Sequence, residues 1–556
     1  MSLFARLFAD PNPIFVREVK QSARLGRTPW LLFSVALLLT LFMCSVGGIA
    51  SASSTSPAQI GRALFQVFFS AGFLVVTLVG PALAANSIAS EREGRTWEAV
   101  LLAGLDAKHI ARGKFQAAYT SMALYLVVLA PVGALPFLYG GVTAAEIVTG
   151  YVFLFLLAAL TVAFGLAVSS QMASLRGAIV VTLILAVILG PNLYGFGGFG
   201  LSVAINSLWK EVDKGLPIWL PVAYARAPFG VEYVLFLIVF PLLVIGMPAW
   251  FLYEITIANL SDANDDRSSG LKRWFAVTTP LLAVALAVPT FLSRGNSETI
   301  GWAIVTLSFY SAYLTFVVLL FAGEPFAPSR RVHMRWLRTR ASGFTRAFGP
   351  GLMRTMWLVL LVGLLGYGIL AAVSIYSASV PKATTYAYPS TRADDIAAAS
   401  FASYAALFFV FVLGMTTWLR TKVQGALSAR IIALAVLFLV SAGPWFVAIL
   451  GGILSDKDNI FIAAPSPFYA FYMAVAAENF ADVEVRNVAV GAIAAASWAF
   501  LGLLLFGFAS RRSARAILDY ESQVAATEAA LAAEDAARAA PPPSPSAMAD
   551  AVPAAP

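Results

Sequence analysis

Thiol and imidazole chemistry is almost missing from this chain, which has one cysteine and two histidines in 556 residues. A single thiol, Cys44, excludes an internal disulfide and any cysteine metal cluster. It lies inside an apolar run, where it reads as a small packing residue. His109 and His333 stand in polar connections, and neither has a companion at metal-ligand spacing. Charge is scarce as well, at 12% against 60% hydrophobic residues. A water-soluble fold of this length needs far more polar surface than that.

What fills the chain is apolar sequence in blocks of roughly 20 residues, the length that crosses a bilayer core as helix. Lipid offers the backbone no hydrogen-bond partner, so such a block is helical or belongs to a closed barrel. Barrel strands alternate polar and apolar residues, and these runs do not. The sequence therefore predicts an all-α, polytopic membrane protein with about twelve transmembrane helices in two six-helix halves. The expected boundaries are a first segment at 1–28, a first half at 29–257, a linker at 258–273, a second half at 274–510 and a tail at 511–556.

Connections on the side of the N-terminus hold about three quarters of the 37 Lys and Arg residues, which marks that side as cytoplasmic and sets both termini there. The net charge of +8 thus reads as membrane orientation and gives no reason to expect nucleic acid. Ala50-Ser51-Ala52 looks like a signal-peptide cleavage site, but the polar stretch 1–28 is too long for one. The first run is expected to be a retained span.

Two polar segments precede the third span. In the first, Asn12 is placed to cap a helix and Pro13 suits its first position. Arg17, Lys20, Arg24 and Arg27 share one sector of that helix, with Phe15, Val16, Val19 and Ala23 in the next, as in an interfacial helix. A positive-inside anchor and a helix that passes motion into the first span both fit this pattern. The second segment, 91–114, opens Glu91-Arg92-Glu93-Gly94-Arg95-Thr96-Trp97-Glu98. Glu91, Arg95 and Glu98 recur at helical spacing beside an apolar stripe of Trp97, Val100, Leu101 and Leu105. Gly94 is placed to break or bend the helix, and Asp106 to cap a second one. By charge alone this is a solvated connector or a surface for a soluble partner.

The insert, with Leu101-Leu102 after it and Gly113-Lys114 at the next span, resembles the ABC-2 family of ABC transporter permeases. Asn12-Pro13 followed by Arg17-Glu18 is similar to the N-terminal segment of that family, and the likeness spans about the first 260 residues. The resemblance implies a multi-pass permease subunit of a bacterial cytoplasmic (inner) membrane, more often an exporter, with no catalytic residue of its own. In that family the stretch between the second and third spans is a coupling helix seated in a groove of an ATPase subunit. Coupling roles then fall on Glu91, Arg92, Glu93, Thr96, Trp97, Glu98 and Leu101. Glu91, Glu93 and Glu98 would orient the helix and bond to the ATPase, while Trp97 and Leu101 would pack into its groove. Asn12, Pro13, Arg17 and Glu18 would form a connecting helix. Trp97 and Arg95 depart from the usual pattern of the family.

No Gly-x-x-x-x-Gly-Lys-[Ser/Thr] loop occurs, and Gly113-Lys114-Phe115 is not one. ATP and Mg would therefore be bound by a separate cytoplasmic ABC ATPase subunit, and this chain is expected to hold no cofactor or metal. The pathway would lie between the two halves as a pseudo-dimer or between two chains as a homodimer. The connection 323–355 takes the place in the second half that 91–114 has in the first, but it carries seven arginines and one acid, Glu324. A retention signal and a second docking surface fit it equally. The outer connections before the sixth and twelfth spans, with Leu220-Pro221-Val222-Ala223-Tyr224-Ala225 and Ser466-Pro467-Phe468-Tyr469-Ala470, suit short re-entrant helices or an aromatic belt. The spans are nearly free of ionisable residues, Glu254 being the main exception, which disfavours an ion-coupled secondary transporter. No clustered nucleophile and base points to a membrane enzyme, and a scaffold is the remaining alternative.

Overall fold

Each apolar run is helical in the computed structural model, and the helices overrun the runs at their polar ends. The structure describes residues 12–24, 27–52, 56–102, 104–209, 211, 223, 227–262, 264–340, 342–381, 391–423, 425–455, 460–478 and 482–539. The helices are α1 (Pro13–Arg24), α2 (Arg27–Ala52), α3 (Pro57–Glu93), α4 (Trp97–Leu102), α5 (Ala107–Val128), α6 (Ala130–Tyr139), α7 (Ala144–Gln171), α8 (Leu175–Tyr194), α9 (Leu201–Leu208) and α10 (Phe240–Leu260). They continue with α11 (Ser269–Leu292), α12 (Thr299–Phe321), α13 (Arg330–Arg338), α14 (Gly343–Ala347), α15 (Leu352–Ser379), α16 (Thr391–Lys422), α17 (Ala426–Ser455), α18 (Tyr469–Glu478) and α19 (Asp482–Ala539). Among the described residues there is no strand, and 12 helical stretches are long and apolar enough to cross a membrane. The protein is an all-α, multi-pass membrane protein. Of the expected outer connection before the sixth span, Leu220, Pro221, Val222, Tyr224 and Ala225 lie outside the described residues, as does the proline-rich end at Pro541-Pro542-Pro543-Ser544-Pro545.

The chain divides into two compact units. The first comprises Met1–Tyr310, Ser329–Gly349 and Val362–Ala399. Its central helix is α3, packed by α7 and α8 and flanked by α5 and α6. Spans gain little from hydrophobicity when they leave lipid for each other, so their packing rests on small residues and interhelical hydrogen bonds. A Cβ on Gly165 of α7 would lie 2.3 Å from the carbonyl oxygen of Pro81, and one on Gly80 would lie 2.4 Å from Thr161 Oγ1. Below that crossing Ser169 Oγ donates to the Ala85 carbonyl at 2.6 Å and accepts the Ala89 N–H at 3.0 Å.

The second unit comprises Ser311–Pro328, Pro350–Leu361 and Ser400–Pro556. Here α16 and α19 approach backbone to backbone, and a Cβ on Gly414 would lie 2.0 Å from the Gly502 carbonyl oxygen. The rings of Phe411 and Trp498 seal the same seam with centroids 4.3 Å apart. The segment before the last span forms a short helix, α18, after a partly buried stretch that includes Ala463, Ala464 and Ser466. Tyr404 Oη reaches the carbonyls of Ala464 at 2.8 Å and Ser466 at 2.9 Å, and Trp498 Nε1 donates to the Pro465 carbonyl at 2.7 Å. Buried carbonyls need hydrogen-bond partners from the protein, and these side chains supply them.

The last helix, α19, runs 58 residues without a break. At 1.5 Å per residue that is roughly 87 Å, against a bilayer core of about 30 Å. Most of its residues beyond Arg511 are exposed, and their Ala-rich composition sustains helix without tertiary contacts.

Gly414→Val should lower the thermal midpoint of the purified protein by the equivalent of about 1–3 kcal/mol, because the crossing has no room for a side chain. Gly507→Ala, whose Cβ meets open space, is the control and should be neutral or slightly stabilising. Equal losses from both variants would contradict the packing.

Candidate functional site

On the basic side of the first unit the N-terminal helix α1, the end of α3 and the start of α5 converge. Asn12 caps α1, its Oδ1 accepting the Ile14 N–H at 3.0 Å, and its Nδ2 ties the cap to the His109 carbonyl of α5 at 2.8 Å. Gly113 makes the approach possible, since a Cβ there would lie 2.8 Å from Asn12 Oδ1 and 2.9 Å from Ile14 Cβ. Ile14 then joins the core formed by Val100, Ile110 and Ala111.

The next residue, Lys114, is fully buried. A buried ammonium is tolerated only with its donors and its charge both answered. Lys114 Nζ donates to Glu18 Oε1 at 3.0 Å, to the Ser87 carbonyl at 2.8 Å and to Ser87 Oγ at 3.2 Å. It also lies 3.0 Å from Glu91 Oε2, an ionic contact without the angle of a directed hydrogen bond. Arg17 closes the ring, donating to Glu18 Oε1 at 3.1 Å and to Glu91 Oε1. Burial pulls the pKa of the Arg17 guanidinium down, but the hydrogen bonds and charges of Glu18 and Glu91 outweigh it and hold it above the usual arginine value. Two cations and two carboxylates thus form a neutral clamp across three helices.

The sequence-predicted residues divide around this clamp. Glu91, expected to face an ATPase, is only 9% exposed and is committed to Arg17 and Lys114. Glu93 Oε2 accepts the Leu175 N–H at 2.7 Å, where a carboxylate also suits the N-terminus of α8. Arg92 donates to the Met172 carbonyl at 3.3 Å, with its guanidinium 5.7 Å from the centre of the Trp97 ring. Trp97 packs against the chain's own core alongside Leu105, and Thr96 N–H bonds to the Glu91 carbonyl at 3.0 Å. The side chains of Glu98 and Leu101 lie outside the described residues.

The expected single face Glu91–Arg95–Glu98 does not form, because α3 stops at Glu93 and α4 begins afresh at Trp97. The stop is a two-bond helix cap: Thr96 N–H reaches the Glu91 carbonyl and Arg95 N–H the Arg92 carbonyl. That cap needs one left-handed residue, and it is Arg95, at φ +53°, while Gly94 keeps an ordinary φ of −76°. Asp106 takes the N-cap position of α5 with extended backbone, but its side chain bonds nothing in that helix. What the insert leaves open is a rim of Arg95, Leu102, Asp106, Lys108 and Arg112, with Leu102 at 87% exposure.

A comparison with protein families finds no match, and a comparison with curated proteins finds none either.

Lys114 and Ser87 were not among the residues singled out for coupling. A partial signal for the lysine was present: it sits at the edge of an apolar run, so its side chain needs acids, but the sequence does not say that Glu18 and Glu91 supply them. Lys114→Met should destabilise the protein by about 3–5 kcal/mol, because Arg17 alone is then left to balance the two carboxylates and the Ser87 carbonyl loses its donor. Adding Glu91→Gln should restore much of that loss. A thermal melt in which the single variant matches wild type would remove the clamp as a stabilising element.

Proposed function

We propose that the chain is the permease subunit of an ATP-binding cassette transporter, driven by a separate ATPase and working in the direction of export. The observation that carries this reading is the charged insert 91–114. Two of its acids, Glu91 and Glu93, fasten it to α1, α5 and α8, and its turn and short helix leave Arg95 and Leu102 bare. A surface fastened on one side and bare on the other is suited to receive a push. The missing phosphate loop in the sequence supports an external energy source. Buried ionisable groups such as Lys114, Glu146, Lys272 and Asp394 stand at the ends of apolar runs, which favours ATP over an ion gradient.

On this reading the basic side is cytoplasmic, the membrane is a bacterial inner membrane, and the ATPase binds ATP and Mg. The roles within the insert shift from those the resemblance implies. Glu91 and Glu93 position the insert, and Arg95 and Leu102 touch the partner.

The test is affinity purification of the full chain from its native membrane. It should bring down a nucleotide-binding ATPase whose hydrolysis the chain stimulates. Arg95→Glu combined with Leu102→Glu should weaken that association by roughly 30-fold, the scale of an interface hot spot, without lowering the thermal midpoint. Recovery of no ATPase, or transport that follows a proton gradient without ATP, would overturn the proposal.

A further inference from the structure

The basic connection between α12 and α15 is folded, and its anchoring defines a second surface that the permease reading does not use. Helix α13 reads Arg330-Arg331-Val332-His333-Met334-Arg335-Trp336-Leu337-Arg338, with four arginines and no acid. One face is fixed. Val332 and Trp336 are buried, and a Cβ on Gly349 would lie 2.1 Å from the Trp336 ring. Ser329 Oγ accepts the Val332 N–H at 3.3 Å and also donates to the Asn264 carbonyl. Arg335 pairs with Asp265 at 3.1 Å, and Arg331 approaches Asp265 at 3.4 Å and Asp262 at 3.9 Å. Lys272 Nζ donates to the Gly349 carbonyl at 2.6 Å, and Ser269 Oγ to the Phe348 carbonyl at 2.9 Å.

These bonds hold α13 against the short turn between α10 and α11. Both of those helices are long and apolar enough to cross the membrane, so the turn, and α13 with it, sits at the water edge of the bilayer. At 100° per residue, Met334, Leu337 and Arg338 fall on the side of α13 opposite Val332 and Trp336. Met334 is 43% exposed and Leu337 54%. Arg338 and Arg340 are exposed beside them, and among the described residues neither meets an acid. Arg340 holds a left-handed backbone, φ +46°, at the helix end, where glycine is the easy choice.

We propose that this outer face of α13 binds the phosphate-bearing headgroups of anionic lipids in the surrounding bilayer. Guanidinium groups match phosphate oxygens in a two-bond fork, and a Met–Leu pair between them is suited to the boundary between headgroups and acyl chains. The bilayer is the occupant the geometry favours. The helix is pinned beside two span ends, where lipid is always at hand, and its bare apolar residues would otherwise face water. The inference does not depend on the ATPase partner.

The full chain is placed in nanodiscs of phosphatidylcholine with or without phosphatidylglycerol, and hydrogen exchange is followed across 330–340. Phosphatidylglycerol should slow exchange there. In a titration of the detergent-solubilised chain with short-chain phosphatidylglycerol, Arg338→Gln and Arg340→Gln should each weaken binding roughly fivefold. Met334→Ser with Leu337→Ser should weaken it further at unchanged thermal midpoint, since all four side chains are exposed. Glycerol phosphate in solution should neither protect the segment nor compete, which separates a lipid surface from a free anion site. Equal exchange in the two nanodiscs would overturn the proposal, as would protection by glycerol phosphate alone. Protection that comes only with an added soluble acidic protein would overturn it too.

Discussion

The basic side of the first unit depends on one buried ammonium. Lys114 has no water to solvate it, so α5 can hold its position only if α1 and α3 bring it oxygens. That requirement accounts for several otherwise separate facts. It explains why Glu91 turns inward at the end of α3 and why Glu18 and Arg17 lie side by side on α1. Gly113, without a side chain, lets the cap of α1 come close enough for the ring to shut. Each carboxylate meets two cations, so no single pair has to bear the whole desolvation cost. The result is that α1, the end of α3 and the start of α5 form one body, and whatever displaces the insert displaces the N-terminal helix as well.

Much of the architecture was legible in the sequence, because lipid leaves an apolar run of span length little choice but helix. The apolar sequence ahead of Glu91 lies in α3 and that after Thr143 in α7, with surplus length at their polar ends. Those ends were harder to read. Gly94 marked the right place for α3 to stop, yet the left-handed residue is Arg95, because the cap is set by which carbonyls the following N–H groups reach. Helical spacing put Glu91, Arg95 and Glu98 on one face, but spacing carries no information once the helix breaks between them. The division of labour among the acids was equally hidden. A one-dimensional reading sees Glu91 and Glu93 as charge on a water-facing insert, while their partners, Lys114, Arg17 and the Leu175 N–H, come from three other segments.

A similar physical rule operates at several other helix ends among the described residues: a polar side chain from elsewhere satisfies the exposed backbone. Arg430 donates to the carbonyls of Leu319 and Leu320 at 2.8 Å each, at the end of α12. Glu324 accepts the Gly351 N–H at 3.3 Å, just ahead of α15. On the segment before the last span, Tyr404 and Trp498 serve the carbonyls from Ala464 to Ser466. Polar residues in this chain are few, and many of those found buried are spent on such junctions. Arg95 on the insert and Arg338 on α13 are among the polar residues left exposed.

The one-body character of the clamp can be measured directly by pulsed electron resonance on a Cys44→Ser background, with spin labels at the exposed positions Lys20 and Lys108. A single narrow distance between α1 and α5, unchanged between the resting protein and the protein at work, is the expected result. A broad distribution at rest, or a distance that shifts during turnover, would mean that the two helices move independently and that the clamp does not join them.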